Sequence, residues 1–338
     1  MSVRDFAIVI GIRDYAHLIR LDGALEDATE IRNWLLSYGE VPEENLHCVL
    51  GDGKEPGQPA VERIEEAFEM VLDGARAKGA RRLYVYFAGH GLSRTVSRLS
   101  LLAADARSSH LNKSIDSQAY HEALCDLPLF PEQIFWYDCC RKYDWRISGR
   151  PPSWTPWDPP QPPPSGLMQM VHYATGFNDA ANERPHLGVT RGLFTRALLE
   201  GLRGAAAPAG DHGSSVTAED LGLYVKVRVE DLARQAHLSQ IPEPRYIGQP
   251  AQFVIVESVT PVTQRVEVAV GAGAGELCVR DAQLDEVERH PVADGDEIVV
   301  LNLMPGRYEI ERLPQNRRQP IEVQPAVPAL AVDLGGSS

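Results

Sequence analysis

The amino-acid sequence predicts an α/β fold with a mostly parallel sheet, helices on both of its faces, and a small all-β sandwich domain at its C-terminal end. In the first 258 residues, short apolar runs alternate with stretches of helical spacing. Strands that alternate with helices pair in parallel, and their helices cover both faces of the sheet. After residue 262 the helical spacing gives way to period-two alternation, which is typical of half-buried strands.

Apolar runs predict the strands of the first domain. The run at residues 6–10 is continuous and ends at Gly11, as expected for a strand buried on both faces. The other predicted strands lie at residues 48–50, 83–87, 134–137, 168–174 and 253–256.

Apolar residues spaced three or four apart predict the helices between these strands. One such face comprises Leu21, Leu25, Ala28, Ile31 and Leu35. Further helices are predicted from residue 61 to a stop at Gly79, at residues 117–124 and at residues 190–202. A capping box at residues 217–220 predicts the start of a last helix, which runs to about Ala236.

A proline-rich segment interrupts this alternation. Residues 150–164 hold eight prolines in 15 residues, and because proline lacks a backbone donor and fixes φ, the segment cannot be a helix or an inner strand. We therefore predict a first domain at residues 1–258 with an inserted loop at residues 147–166, and a β-sandwich domain at residues 262–338.

Charge and composition exclude several classes of partner. Lys and Arg number 33 against 47 Asp and Glu, a formal net charge of −14, whereas affinity for nucleic acids and anionic membranes comes from cationic side chains. No apolar run reaches the length of a membrane span or of a signal-peptide core. Only five cysteines occur in 338 residues, which favours a reducing compartment. We expect a cytoplasmic protein with no nucleic-acid or membrane partner.

Two common site motifs fit the sequence poorly. The glycine-rich stretch at residues 271–275 is followed by a predicted strand, whereas a dinucleotide loop needs a helix to receive the pyrophosphate, so we interpret it as a hairpin. Neither zinc-ligand spacing nor a Gly-x-Ser-x-Gly elbow occurs. The sequence therefore predicts neither a metal nor an organic cofactor.

One histidine and one cysteine form the best candidate site. His90 and Cys140 each follow a predicted strand, and parallel strands present their carboxyl ends at one edge of the sheet. If the two strands are neighbours, the imidazole can reach the thiol and activate it as a nucleophile. The amides of Gly91 and Cys140 could then bind the oxyanion of a tetrahedral intermediate. The alternative is a buried free cysteine and an unrelated histidine.

These residues carry a family resemblance. The motifs are Ala88-Gly89-His90-Gly91, Asp138-Cys139-Cys140 with Cys140 50 residues after His90, Gly11-Ile12-Arg13-Asp14-Tyr15, Leu21-Asp22-Gly23 with Asp27-Ala28, and Gly192-Leu193-Phe194-Thr195. With them the chain resembles the caspase-like cysteine peptidases of clan CD, in the prokaryotic caspase and metacaspase branch, over about residues 3–257. The register of Asp-x-Cys favours Cys140 over Cys139 as the nucleophile.

The resemblance implies a cysteine endopeptidase that cleaves protein substrates after a basic residue. In the metacaspase-like branch two aspartates line the specificity pocket, and they match Asp27 and Asp138. Two carboxylates in one pocket repel each other unless a cation such as a substrate Arg or Lys enters. The resemblance further implies a regulated role in bacterial defence or cell death, with activation by proteolysis or by a protein activator.

The sequence departs from the family directly after the nucleophile. Arg141-Lys142-Tyr143 stands where metacaspases have His-Ser-Gly, and these charges are interpreted either as solvated loop residues or as electrostatic support for a thiolate. The proline-rich loop follows, and we predict that it is mobile at rest and that on activation it either becomes ordered or is cut near Arg146 or Arg150. Arg146 is the better candidate, since Pro151 makes the bond after Arg150 a poor substrate.

A different class of function also fits the sequence. A catalytically silent caspase-fold scaffold would bind protein partners through the loop and the β domain, which resembles the PEGA-type sandwich modules of bacterial proteins. The intact pair of His90 and Cys140 favours the peptidase, because a scaffold is free to lose either residue.

Overall fold

The computed structural model of this protein describes residues 4–109, 111–154, 166–186, 189–207, 215–257, 263–280, 286–303, 306–323 and 330–335. The chain divides into two compact units. The first comprises Met1–Leu199 and Thr217–Val254, and the second comprises Glu200–Val216 and Ile255–Ser338.

The helices and the strands up to residue 256 follow in chain order. The strands are β1 (Asp5–Ile12), β2 (Leu46–Gly51), β3 (Arg82–Ala88), β4 (Gly91–Ser93), β5 (Leu99–Leu102), β6 (Ser114–Asp116), β7 (Glu132–Asp138), β8 (Lys142–Tyr143), β9 (Met168–Tyr173), β10 (Glu183–His186), β11 (Val189–Gly192), β12 (Val216–Thr217), β13 (Glu243–Ile247) and β14 (Val254–Val256). The helices are α1 (Ala24–Ser37), α2 (Val61–Lys78), α3 (Ser117–Cys125), α4 (Leu193–Glu200) and α5 (Ala218–Gln235).

A six-stranded sheet of order β13-β9-β7-β3-β1-β2 forms the centre of the first unit. Every neighbouring pair is parallel except β13 and β9, which are antiparallel. The predicted mostly parallel sheet is confirmed, and the predicted strand at residues 134–137 does lie beside the one at residues 83–87. The sequence missed β13, whose Pro244 argues against a strand; the proline is tolerated because β13 is an edge strand.

Helices cover both faces of this sheet, as predicted. On one face Phe6, Ile8 and Ile10 join a buried apolar cluster with residues of α2 and α3. On the other face α1 packs through Trp34, whose ring meets those of Tyr84 and Trp136 edge-on at 6.4 and 6.2 Å. The sheet is therefore buried on both sides, which is why its strands are continuous apolar runs.

A second, four-stranded sheet of order β6-β5-β4-β8 was not predicted from the sequence. Its strands are only two to four residues long, too short to show a period-two pattern. Its β4 and β8 begin three and four residues after β3 and β7 end, and they pair in parallel as β3 and β7 do. The second sheet therefore lies beyond the carboxyl edge of the central sheet.

One predicted helix was partly wrong. Residues 189–192 form β11, which pairs with β10 as a hairpin, so α4 begins only at Leu193. The backbone N–H of Gly192 donates to the Asp27 carboxylate instead of continuing a helix. The helices at residues 61–78 and 117–124 are confirmed, as is the capping box in which Thr217 and Asp220 bond each other's backbone N–H groups.

Two antiparallel-rich sheets make up most of the second unit. After β14 the strands are β15 (Gln264–Ala269), β16 (Gly275–Arg280), β17 (Glu286–Val292), β18 (Ile298–Leu303), β19 (Gly306–Leu313), β20 (Arg317–Val323) and β21 (Leu330–Asp333). The sheets have the orders β18-β15-β21 and β17-β16-β19-β20, and side chains from both share one apolar core. The glycine-rich stretch is not a hairpin, because β15 and β16 belong to different sheets and it crosses between them.

The start of the proline-rich loop packs against α2 and α3. The Trp154 ring stacks on Phe68 at 5.4 Å and meets Tyr120 edge-on at 5.0 Å, while Arg150 bonds Glu62 at 2.8 Å. Ile147 is fully buried. These contacts do not support the predicted mobility at residues 147–154, and residues 155–165 lie outside the described residues.

Candidate active site

Strand register gives His90 and Cys140 matching positions on neighbouring segments of the chain. Partners on β3 and β7 differ by 50 residues throughout, from Arg82 with Glu132 to Ala88 with Asp138. Beyond the site the same difference recurs where β4 pairs with β8. His90 and Cys140 are also 50 residues apart, and they lie between these two paired stretches of the chain. They therefore occupy matching positions on the two segments.

Both candidates line one pocket at the carboxyl edge of the central sheet. The described residues that line it are Leu21, Ala24, Asp27, Ala88, Gly89, His90, Asp138, Cys139, Cys140, Ala181, Asn182 and Glu183. The pocket thus brings together the candidate nucleophile, the candidate base and the two aspartates predicted for specificity. Glu183, a third acid, was not predicted from the sequence.

The His90 ring is held by the loop between β1 and α1. Its Nε2 lies 2.7 Å from the carbonyl oxygen of Ile19. A carbonyl only accepts hydrogen bonds, so Nε2 carries a proton, and in the neutral ring Nδ1 keeps its lone pair. Burial lowers the pKa of His90, which favours this neutral form.

Cys140 is the more accessible of the two adjacent cysteines. It is half-buried, and its thiol donates to the Ala181 carbonyl with Sγ 3.8 Å from the oxygen. Burial raises the pKa of Cys140, which favours the neutral thiol. Cys139 is 2% exposed and belongs to the apolar core between the sheet and α2, where burial raises its pKa strongly. These positions support Cys140 as the nucleophile.

Gly91 packs at very close range against the segment that follows β7. A Cβ on Gly91 would lie 2.5 Å from the Cys140 carbonyl oxygen and 2.6 Å from the Cys139 sulfur. Both distances are shorter than any real Cβ contact, so only glycine lets the two segments approach this closely. Packing therefore requires glycine at position 91, in addition to the predicted role of its amide in binding the oxyanion.

Arg141 anchors the segment after Cys140. It is fully buried, bonds the carboxylate of Glu243 and the carbonyl oxygen of Val96, and lies 4.2 Å from the Tyr173 ring centre. Its interpretation as a solvated loop charge was wrong. The cation acting on the Cys140 thiol is Lys142, which lowers the thiol pKa against the larger effect of burial.

Asp27 and Asp138 are held by donors from the segment around β11 and α4. Asp27 accepts from Arg191 Nε at 2.5 Å and from the Gly192 N–H at 2.7 Å, which occupies both of its oxygens. Asp138 Oδ2 accepts from the Thr195 hydroxyl at 2.6 Å and from its N–H at 3.2 Å. No residue in the described part of the chain donates to Asp138 Oδ1, so this oxygen is available in the pocket.

Comparison with known proteins agrees with this geometry. The family model of the caspase domain matches residues 4–253, which covers nearly all of the first unit and also Glu200–Val216 of the second. The chain belongs to the caspase domain family. It is similar to a probable protease from a Desulfuromonadales bacterium, with 30% identity over 275 residues. That match covers 74% of this chain but only 32% of the relative, so the chain spans about a third of its length.

Several residues in or next to the pocket of this caspase domain could not be found from the sequence. Tyr15 acts through its hydroxyl, and Ile19 and Ala181 act through their backbone carbonyls, so none has a signature in composition or spacing. Tyr15 belongs to the family motif at residues 11–15, but the motif alone does not indicate what its side chain does. Arg191 lay inside a predicted helix, which hid its approach to Asp27.

No cluster of three or more His, Cys, Asp or Glu side chains within the described residues could hold a metal ion. Over the same ranges, none of the helices has the length and apolar character needed to cross a bilayer.

Proposed function

We propose that this caspase-family protein is a cysteine endopeptidase in which Cys140 is the nucleophile and His90 the general acid–base. The observation that carries the proposal is their shared pocket, reached from two neighbouring strands with a common register. Parallel strands deliver functional side chains at their carboxyl ends, where this pocket lies.

The proposed reaction needs no group beyond the protein and water. As Cys140 Sγ attacks the scissile carbonyl carbon, its proton passes to His90 Nδ1, the nitrogen left unprotonated by the Ile19 contact. The N–H groups of Gly91 and Cys140 bind the oxyanion. His90 then gives the proton to the leaving amine, and water hydrolyses the thioester with His90 as base.

Specificity for a basic residue is supported by the acids of the pocket. Asp138 offers its Oδ1, and Glu183 adds a third carboxylate to the lining. Arg191 pairs with Asp27 but is not one of the residues that line the pocket. A substrate Arg or Lys would supply the cation that the pocket lacks, and Arg can bond a carboxylate with two N–H groups.

The contacts of Cys140 and His90 support a protease that must be switched on. The Cys140 thiol is engaged by the Ala181 carbonyl, and burial favours the neutral forms of both Cys140 and His90. A change near Ala181 would be needed to free the thiol. This is consistent with the predicted activation by cleavage or by a protein activator, and with a regulated role in bacterial defence or cell death in the cytoplasm.

An active-site probe distinguishes the endopeptidase from the silent scaffold. A peptidyl chloromethyl ketone ending in Arg should alkylate the wild-type protein at Cys140, and the Cys139→Ala variant equally. Cys140→Ala and His90→Ala should resist. Labelling of neither cysteine by the Arg or a matched Leu probe would favour the scaffold.

The defence role needs its own test. Bacteria that express the wild-type protein should restrict phage growth or die on infection, whereas those that express Cys140→Ala should not. Equal phage growth with both proteins would remove the defence role but leave the peptidase untouched.

A further inference from the structure

The backbone of His90 is clamped on both sides. Its N–H donates to the Tyr15 hydroxyl at 2.7 Å, and its carbonyl accepts from the Leu102 N–H at 3.0 Å. The same hydroxyl donates to the Leu102 carbonyl at 3.4 Å. The Tyr15 side chain thus joins the histidine to β5 through one oxygen atom.

The Tyr15 ring also supports the His90 side chain. The two ring centres lie 4.6 Å apart with a tilt of 58°. Burial raises the pKa of Tyr15 far above its usual range, so the phenol stays neutral and keeps its proton for Leu102. One residue therefore contacts both the backbone and the imidazole of the proposed acid–base.

Chain geometry around the hydroxyl shows that this contact is built in. A Cβ on Gly89 would lie 2.5 Å from the Tyr15 oxygen, so a side chain at position 89 would displace the hydroxyl. Four residues after Tyr15, the same loop supplies the Ile19 carbonyl that takes Nε2 of the histidine. The loop is closed by the Leu21 N–H donating to the Arg13 carbonyl at 3.0 Å.

We propose that Tyr15 is a positioning residue for His90: its hydroxyl and ring fix the histidine so that Nε2 stays on the Ile19 carbonyl and Nδ1 is free to take the Cys140 proton. This rests on the proposed function, in which His90 is the acid–base. Tyr15 is not itself one of the residues that line the pocket, and it contacts the lining at Gly89 and His90, so it acts on the rate of proton transfer and not on substrate binding.

Tyr15→Phe removes the hydroxyl and keeps the ring. We expect kcat for an Arg peptide to fall about 10- to 100-fold, part of the roughly 10²- to 10⁴-fold that a positioned acid–base contributes. KM should stay within about twofold, since the substitution leaves the contacts that bind the substrate unchanged. Tyr38→Phe, at a tyrosine that is 66% exposed, is the matched control and should leave kcat unchanged.

A second measurement does not depend on cleavage. In the Cys140→Ala background with ¹⁵N-labelled histidine, the His90 ring signals should report the Nε2–H tautomer, assigned by their absence in His90→Gln. Adding Tyr15→Phe should shift them toward a mixture of tautomers, whereas adding Tyr38→Phe should not. Unchanged ring signals, or a kcat within twofold of wild type, would overturn the positioning role. A wild-type protein that cleaves nothing would defeat the proposed function, while the ring signals would still decide about Tyr15.

Discussion

Asp27 and Asp138 line the same pocket although they are only 1% and 9% exposed. Burial, together with the neighbouring Asp138 charge, raises the pKa of Asp27 to about 8. Burial also raises the pKa of Asp138, to about 6, although the Thr195 hydrogen bonds oppose it. The two carboxyls together therefore keep at least one proton near neutral pH.

Titration of these two carboxyls predicts that the affinity for a basic substrate depends on pH. Below their raised pKa values the carboxyls are neutral and cannot bind a cation, so KM for an Arg peptide should fall as pH rises from about 5.5 to 8. Steady-state kinetics over this range measure it. Asp27→Asn should flatten the upper part of the profile, and a wild-type KM that is constant or rises with pH would contradict the assignment.

Because Asp138 Oδ1 is available in the pocket, replacing the Asp138 carboxylate should weaken cleavage of a basic substrate. Asp138→Asn should lower kcat/KM for an Arg peptide about 10- to 100-fold, as expected for a hydrogen bond to a charged group worth roughly 1.5–3 kcal/mol. Asp126→Asn, at an exposed carboxylate outside the pocket lining, is the matched control. An Asp138→Asn enzyme that keeps its preference for Arg over Leu peptides would place the specificity elsewhere.

The pair of Arg191 and Asp27 predicts a stability effect that depends on pH. Arg191→Leu leaves a buried carboxylate without its cation, which costs about 3 kcal/mol when the acid is ionised. At pH 6 Asp27 holds a proton in the variant, so the loss should be smaller than at pH 8.5. Urea unfolding at both pH values measures this, with exposed Arg184→Leu on the same hairpin as control. Equal losses at both values would show that Arg191 acts by packing alone.

Long buried elements were predictable from the sequence. The strands at residues 6–10, 83–87 and 134–137 are apolar throughout because they are buried on both faces, and their parallel pairing followed from the alternation with helices. The spacing of 50 residues between His90 and Cys140 was visible in the sequence. Its physical origin, the constant register of β3 with β7 and of β4 with β8, was not.

Short and polar elements escaped prediction for physical reasons. The hairpin of β10 and β11 contains Glu183 and Arg191, whose charges are tolerated at the pocket because they meet Asp27 and donors near Gly23. Contacts of this kind join residues more than 100 positions apart and leave no periodic pattern. The Ile19 carbonyl is a backbone group, so residue identity alone cannot reveal its role.

Cleavage of a peptide library tests the central claim most directly. The library should contain matched peptides with Arg, Lys, Asp or Leu before the scissile bond, incubated with wild-type protein, Cys140→Ala and Cys139→Ala, and the products read by mass spectrometry. The account predicts cleavage after Arg and Lys by the wild-type protein and by Cys139→Ala, and none by Cys140→Ala. Cleavage that persists in Cys140→Ala, or a wild-type preference for Asp or Leu, would contradict it.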